Sequence, residues 1–363
     1  MKLALIRRQF SPTGGAELYL DRLIDRLTGS GNEVHLFSEK WEKKENVQFH
    51  PIEVNGSRGE QPMVFARNVA AALQREKWDC VFSLERTVKQ DVYRAGDGVH
   101  QVWLERRREF SPAWKRFWIG WGNFHRTMCE LEQAAFHPAN TSRIIVNSEM
   151  VRAEILRNSQ FPNNRIHLVR NGIDLRRFQH RDRVAMRKKY GLEESAKVLL
   201  FVGSGWERKG LRYVIQVYRT LKENGSNVRL LVAGKGRRPA GSGDVIFVGP
   251  VKEVEELYTA ADLFLFLPIY EPSANVCIEA FAAGLPVVTT RMNGASELIR
   301  SGESGVIVDD PRETGKIAEA TRRLLLNGVK VAIAPELLSL DRNVAETIAV
   351  LNLATQERKA SRQ

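Results

Sequence analysis

The chain is poor in cysteine, has no long apolar run and has no closely spaced metal-ligand cluster, and each shortage closes off a class of protein. Its three cysteines, Cys80, Cys129 and Cys277, are odd in number and far apart. A disulfide framework or a zinc site needs short-spaced pairs, so a reducing compartment is expected. Apolar stretches such as Leu263 to Leu267 stop at a proline, far below the ~20 residues that cross a bilayer. The opening run Leu3 to Ile6 gives way at once to Arg7 and Arg8. It is too short for a signal-peptide core and reads as a first strand, which leads to the expectation of a cytoplasmic protein. No Asp-Xaa-Asp triplet occurs anywhere, so the carboxylate pair that would hold a divalent cation beside a diphosphate is missing. Repeats of solenoid length and low-complexity tracts are absent too.

What is present suits two globular domains. At 363 residues the chain has room for two domains of ~180 residues. Lys plus Arg number 55 against 43 Asp plus Glu, a formal net charge of +12, which favours anionic partners: nucleic acid, lipid headgroups or phosphorylated substrates. The first half opens with a strand (Lys2 to Ile6), a loop holding Gly14 and Gly15, and an amphipathic segment from Ala16 to Leu27; strand-like runs follow at Glu33 to Phe37, Asp79 to Ser83 and Ile144 to Asn147. The second half repeats the logic from Lys197 to Val202 through Gly203 and Gly205, with short strands at Val228, Asp244, Asp262, Pro286 and Gly305. Two doubly wound α/β domains follow from this alternation, with chemistry at the carboxyl ends of the strands. The expected division is 1–165, 166–335, and a helical segment over 336–363 that could pack back on the first domain.

The sharpest feature is Glu271-Pro272-Ser273-Ala274-Asn275-Val276, running on through Glu279 to Ala283-Gly284-Leu285-Pro286. It reads as loop, helix, turn, strand. Ser273 is the expected N-cap, leaving the amides of Ala274, Asn275 and Val276 to face a diphosphate. Glu271 before the helix and Glu279 within it can accept paired hydrogen bonds from vicinal hydroxyls of a sugar and a ribose. Arg208 and Lys209, after the Gly203/Gly205 loop, would repel each other unless an anion lay between them.

The acid pair seven residues apart, followed by Ala-Xaa-Gly-Xaa-Pro-Val-Val, resembles the donor-site signature of the retaining family-four glycosyltransferases. Asn171-Gly172-Ile173-Asp174 with Phe178 resembles the family's domain-crossover segment, and Gly294-Ala295-Ser296-Glu297 its glycine loop. The resemblance covers almost everything from Lys2 to Asp310. It implies a GT-B fold: two Rossmann-like domains facing each other across a cleft, with a UDP-sugar bound mainly by the second and an acceptor by the first. It implies that Glu271 contacts the donor sugar, Glu279 the ribose, Arg208 and Lys209 the phosphates, and that amides at Gly14 and Gly15 face them. Ser204 stands where the family commonly has an arginine, which leaves that charge to Arg208. No cofactor or metal is expected; cations and amides would take the charge that develops on the leaving UDP.

In the first domain, Asp97 within Arg94-Ala95-Gly96-Asp97-Gly98 is the catalytic candidate, and His100 is its competitor as the residue presented to donor sugar or acceptor. Arg-Ala-Gly-Asp resembles one branch of the family, the glucosyltransferases that add the first glucose to heptose in the lipopolysaccharide core. Ser111-Pro112 starts, and Pro138 stops, an expected helix over 111–136. Phe110, Trp114, Phe117, Trp118, Trp121 and Phe124 would form one aromatic face, with Lys115, Arg116 and Arg126 pointing away and Arg106 to Arg108 close by. Such a stripe backed by cations suits an anionic membrane surface. The activity this resemblance implies is hexose transfer, with glucose the expected sugar, from a UDP-sugar to a heptose of a lipid-anchored saccharide, by a protein peripheral on the inner face of the inner membrane. Another UDP- or GDP-sugar with a different acceptor, or a GT-B epimerase, are the alternatives. A nucleic-acid partner is not expected, since the charge comes without a recognised nucleic-acid-binding motif.

Overall fold

Short runs of leucine, valine and isoleucine bounded by glycine, proline or asparagine become strands buried on both faces, the pattern of a helix-covered parallel sheet. The computed structural model describes residues 1–9, 15–41, 46–178, 182–329, 331 and 333–360. Within these the chain divides into unit 1, Met1–Arg170 with Asp341–Gln363, and unit 2, Asn171–Leu340.

Unit 1 holds strands β1 (Lys2–Ile6), β2 (Glu33–Ser38), β3 (Val47–Pro51), β4 (Cys80–Ser83), β5 (Gln90–Arg94), β6 (Thr141–Val146) and β7 (Ile166–Leu168). They form one sheet in the order β3-β2-β1-β4-β5-β6-β7, with every pairing parallel. Its helices are α1 (Gly15–Gly29), α2 (Gln61–Leu73), α3 (His100–Glu109), α4 (Ala113–Arg116), α5 (Asn123–Ala135) and α6 (Glu149–Asn158). Unit 2 repeats the plan with β8 (Lys197–Val202), β9 (Val228–Ala233), β10 (Ile246–Gly249), β11 (Leu263–Phe266), β12 (Val287–Thr290) and β13 (Gly305–Val308). These run in the order β10-β9-β8-β11-β12-β13, again parallel. Around them lie α7 (Arg183–Lys189), α8 (Leu211–Glu223), α9 (Glu255–Ala260), α10 (Asn275–Ala282), α11 (Thr314–Asn327) and α12 (Pro335–Leu338); α13 (Leu340–Ala360) closes the chain. Leu3 to Ile6, Val198 to Phe201 and Leu263 to Leu267 are fully buried, and each such leucine or valine stabilises the fold by about 1.5–3 kcal/mol.

In both sheets the chain turns from one edge to the other beside its first strand, between β1 and β4 and between β8 and β11. Loops diverge there to opposite faces and leave a crevice at the carboxyl ends, where ligands of such sheets bind. In unit 2 the meeting loops are 203–210 and 267–274.

Three expectations are corrected. The division falls after Arg170, since Ile166–Leu168 pairs with Ile144–Val146 as an edge strand of the first sheet. Residues 336–340 stay with unit 2, where Ile173 donates to the carbonyl of Leu338 and Leu340 donates to that of Ile173. The expected helix over 111–136 is two helices, α4 and α5, interrupted at Gly120 and Gly122, whose φ values are +92° and +109°. The stripe therefore does not lie on one helical face. Phe110 is buried, whereas Trp114, Phe117, Trp118 and Trp121 are 71, 69, 60 and 64% exposed. Phe117, Trp118 and Trp121 pack on one another with ring centroids 5.2–5.5 Å apart. Lys115, expected to point away, lies 5.0 Å over the Trp114 ring. Arg108 ties this turn back to α3, with Nη2 2.9 Å from the carbonyl oxygen of Ile119.

A Cβ at Gly210, whose φ is +74°, would lie 1.7 Å from the Leu267 carbonyl oxygen; at Gly205, φ +73°, it would meet open space. Gly205→Ala is expected to cost only the ~1–2 kcal/mol of a left-handed backbone. Gly210→Ala must also displace β11 or α8, and its thermal midpoint is expected to fall well below that of Gly205→Ala.

Candidate active site

The crevice of unit 2 is built by close backbone approach. Gly210 lets the start of α8 press on β11, and Ile269 then donates to the Arg208 carbonyl at 3.0 Å. That contact brings Arg208 to Glu271: Nη1 lies 2.8 Å from Oε2 and 3.2 Å from the Tyr270 carbonyl oxygen. The pair is mostly shielded on the carboxylate side, with Glu271 14% exposed and Arg208 35%. The Glu271 backbone is pinned on both sides, donating to the carbonyl of Met292 at 2.8 Å and accepting from Gly294 at 3.0 Å. The glycine loop singled out in the sequence is thus the wall that holds this acid.

Lys209 turns elsewhere. A Cβ on Gly203 would lie 2.8 Å from its Nζ, so the missing side chain is what admits it. The ammonium is 5.8 Å from the Phe266 ring centroid, and no carboxylate among the described residues comes within 4.0 Å of it. Burial pushes its pKa down from the ordinary lysine value, and the nearby Glu271 charge partly restores it. The two neighbouring cations thus point differently: Arg208 pairs with Glu271, while the half-buried Lys209 ammonium has no carboxylate within ion-pair distance among the described residues.

At α10 the expected cap is also corrected. Ala274, not Ser273, is the N-cap residue, and no side chain of its own caps the helix. The Ala274 amide is taken by Asn293 Oδ1 at 3.1 Å, leaving Asn275 and Val276 as the amides at the helix opening. Asn275 is braced from the crossover segment, where Asn171 Nδ2 donates to its Oδ1 at 2.8 Å. Asn293, fully buried, also accepts from the Ala295 amide at 3.1 Å and donates to Thr289 Oγ1 at 3.0 Å. It joins the acid loop, α10 and the glycine loop. Glu279 keeps some surface open to solvent, yet protein packs round it closely enough to push its carboxyl pKa up; the Tyr258 hydroxyl, donating to Oε2 at 2.8 Å, pulls it partly back. Neither Asn293 nor Tyr258 stood out in the sequence. Asn293 had one available signal, its place directly before the Gly294 loop.

Gly14 lies outside the described residues, and Gly15 is the first residue of α1. Asp97 sits exposed at the tip of a turn after β5, closed by Gly98 donating to the Ala95 carbonyl at 3.2 Å. His100 is buried at the start of α3, its Nε2 sharing a hydrogen bond with His125 Nδ1 at 3.1 Å. Burial, then the charges of Arg86 and His125, push His100 down to about 4. It is a neutral imidazole at pH 7, engaged within unit 1. Asp97 and His100 thus share one turn, while Glu271, Arg208, Lys209, Asn275 and Glu279 belong to the other unit.

A model of "Glycosyltransferase Family 4" matches residues 13–177, and one of "Glycosyl transferases group 1" matches 196–327. The chain belongs to glycosyltransferase family 4. Among its relatives in this family is the lipopolysaccharide glucosyltransferase WaaG of Escherichia coli, 25% identical over 345 residues, 90% of each chain. An uncharacterized glycosyltransferase of Methanocaldococcus jannaschii is 27% identical over 98% of this chain and 99% of its own. The crystal structure of WaaG superposes with a TM-score of 0.76 at 22% identity over 98% of both chains, and Anabaena HepE in complex with UDP-glucose with 0.68 at 16% over 97% and 100%. The fold is GT-B, and the protein is a glycosyltransferase of this retaining family. No described helix is long and apolar enough to cross a membrane.

His100 offers a direct check. A histidine with a folded pKa below its unfolded ~6.5 binds fewer protons folded than unfolded between those values. Its contribution to stability is present above 6.5 and is lost as pH falls through that value toward 4. NMR titration is expected to place His100 near 4, and His100→Asn to flatten the fall in thermal midpoint between pH 6.5 and 4.

Proposed function

We propose that the protein transfers glucose from a UDP-sugar, with retention, to a heptose of a lipid-anchored lipopolysaccharide core, without a metal. The observation that carries this is Lys209: a partly desolvated ammonium with no carboxylate within ion-pair distance among the described residues, in the crevice that also holds Glu271 and the open start of α10. A partly desolvated cation gains from an anion placed beside it. A nucleoside diphosphate supplies one, and its charge grows as the sugar–phosphate bond breaks, so Lys209 and the amides of Asn275 and Val276 stabilise the transition state more than the bound substrate. Glu271, held by Arg208 and by two backbone bonds, is positioned to accept hydrogen bonds from sugar hydroxyls, and Glu279 from the ribose. Arg208 places a second positive charge beside them. UDP as the nucleotide is supported by HepE, solved with UDP-glucose; glucose and lipopolysaccharide are supported by the printed function of WaaG. Asp97 is the acceptor-side group of unit 1, and His100, neutral and bonded to His125, opens the helix that follows its turn.

The exposed cluster Trp114, Phe117, Trp118 and Trp121, flanked by Lys115, Arg116 and Arg106 to Arg108, suits the headgroup boundary of an anionic bilayer. A lipid-anchored acceptor requires such contact, and the protein would then sit on the cytoplasmic face of the membrane that carries it.

Incubating the protein with a panel of UDP- and GDP-sugars and heptosylated core, then identifying the product by mass and its anomeric proton by NMR, tests the reading. Transfer of α-glucose from UDP-glucose is expected, undiminished by EDTA. Glu271→Ala is expected to lower kcat by at least a hundredfold with UDP affinity nearly unchanged. Glu279→Ala is expected to weaken UDP about tenfold, and unchanged UDP affinity would remove its ribose role. In co-sedimentation, vesicles containing phosphatidylglycerol are expected to bind the protein less well as salt rises, and Trp118→Ala/Trp121→Ala to reduce binding at least tenfold.

A further inference from the structure

We infer that Asn147 and Arg86 are positioning residues for Asp97, holding the peptide groups on either side of it so that its carboxylate occupies one place. The inference rests on the reading of Asp97 as the acceptor-side group. Asp97 itself is exposed, but its neighbours are anchored. The Gly96 carbonyl accepts from Asn147 Nδ2 at 3.0 Å, and the Gly98 carbonyl from Arg86 Nη2 at 2.7 Å. Both anchors are buried, Asn147 at 3% and Arg86 at 8% exposure. They come from different places in the sheet, Asn147 from the carboxyl end of β6 and Arg86 from the loop after β4.

Arg86 is fixed in turn by Glu132 on α5, Nε to Oε2 at 3.2 Å. The same carboxylate receives the amides of His100 at 2.5 Å and Gln101 at 3.2 Å. It thereby supplies the cap that α3 lacks locally, its N-cap residue Val99 having no capping side chain. A Gly-Asp-Gly turn is among the least restrained backbones a chain can have. Here two carbonyls and two amides of one seven-residue stretch, Ala95 to Gln101, are held from three separate elements.

Asn147 separates positioning from folding. Its Oδ1 is buried with no partner among the described residues, and such an oxygen destabilises the folded state. Replacing the side chain removes one hydrogen bond and one unsatisfied acceptor together, so the fold should tolerate the change while the turn loosens.

Asn147→Ala is expected to keep or raise the thermal midpoint, to leave UDP affinity and donor KM unchanged, and to lower kcat ten- to a hundredfold, the scale of an ångström of misplacement. Amide hydrogen exchange over Gly96 to Gln101 is expected to quicken. Arg86→Lys, which keeps the charge but loses the fork between Gly98 and Glu132, is expected to lower kcat similarly with a reduced midpoint. In an Asp97→Asn background, Asn147→Ala is expected to cost little more, because both changes remove one interaction. Full kcat with unchanged exchange in Asn147→Ala, the same penalty in both backgrounds, or failure of Asn147→Ala to fold would each overturn the inference. Full kcat in Asp97→Asn alone would instead overturn the reading of Asp97, and the positioning role with it.

Discussion

The crevice of unit 2 depends on one close approach, the Gly210 backbone against the Leu267 carbonyl. With a side chain there, a carbon would lie 1.7 Å from that oxygen, and the start of α8 would have to back away from β11. Because it does not, Arg208 reaches the loop beyond β11 and pairs with Glu271. A second glycine, Gly203, leaves the space into which Lys209 folds. Two absent side chains thus send two adjacent cations in different directions: one to restrain an acid, the other into a partly desolvated position beside Phe266. Desolvation is unfavourable for such an ammonium, and the nearby Glu271 charge offsets that cost only in part.

Both units wire their loops through buried polar side chains. In unit 2 Asn293 bonds to α10, to the glycine loop and to β12 at once. In unit 1 Glu132 joins α5 to the start of α3 and to Arg86. Such networks stabilise one geometry when complete and are costly when a member is lost, since the remaining groups keep their burial without their partners. They suit places where loops, weakly restrained by packing, must present a carboxylate or an amide in a set direction.

The aromatic turn after α3 follows the opposite logic. Phe117, Trp118 and Trp121 contact one another yet stay mostly open to water, and a soluble domain gains little by displaying them. Arg108 holds the turn through the Ile119 carbonyl, so the cluster is presented rather than collapsed onto the sheet. Exposed rings beside a run of arginines are the feature on which the proposed contact with an anionic surface rests.

Periodicity and punctuation in the chain were enough for two α/β domains, most strands and the acid–helix signature, because those depend on local burial pattern and on glycine and proline at turns. The short strand Ile166–Leu168 falls beyond the expected boundary at 165, since three residues carry too little pattern to say which sheet pairs with them. Aromatic spacing alone implies one helix over 111–136 because that spacing survives a break; the positive φ values at Gly120 and Gly122 interrupt it. Residue types alone pointed to acids, cations and amides gathered around the loops that follow the strands of the second domain. Only the tertiary structure decided that Arg208 belongs to Glu271, that Asn293 takes the Ala274 amide, and that His100 is buried and neutral. Those outcomes rest on contacts between residues 19 to 63 positions apart, where the distance between side chains is set by sheet order and close backbone packing, which no local pattern encodes.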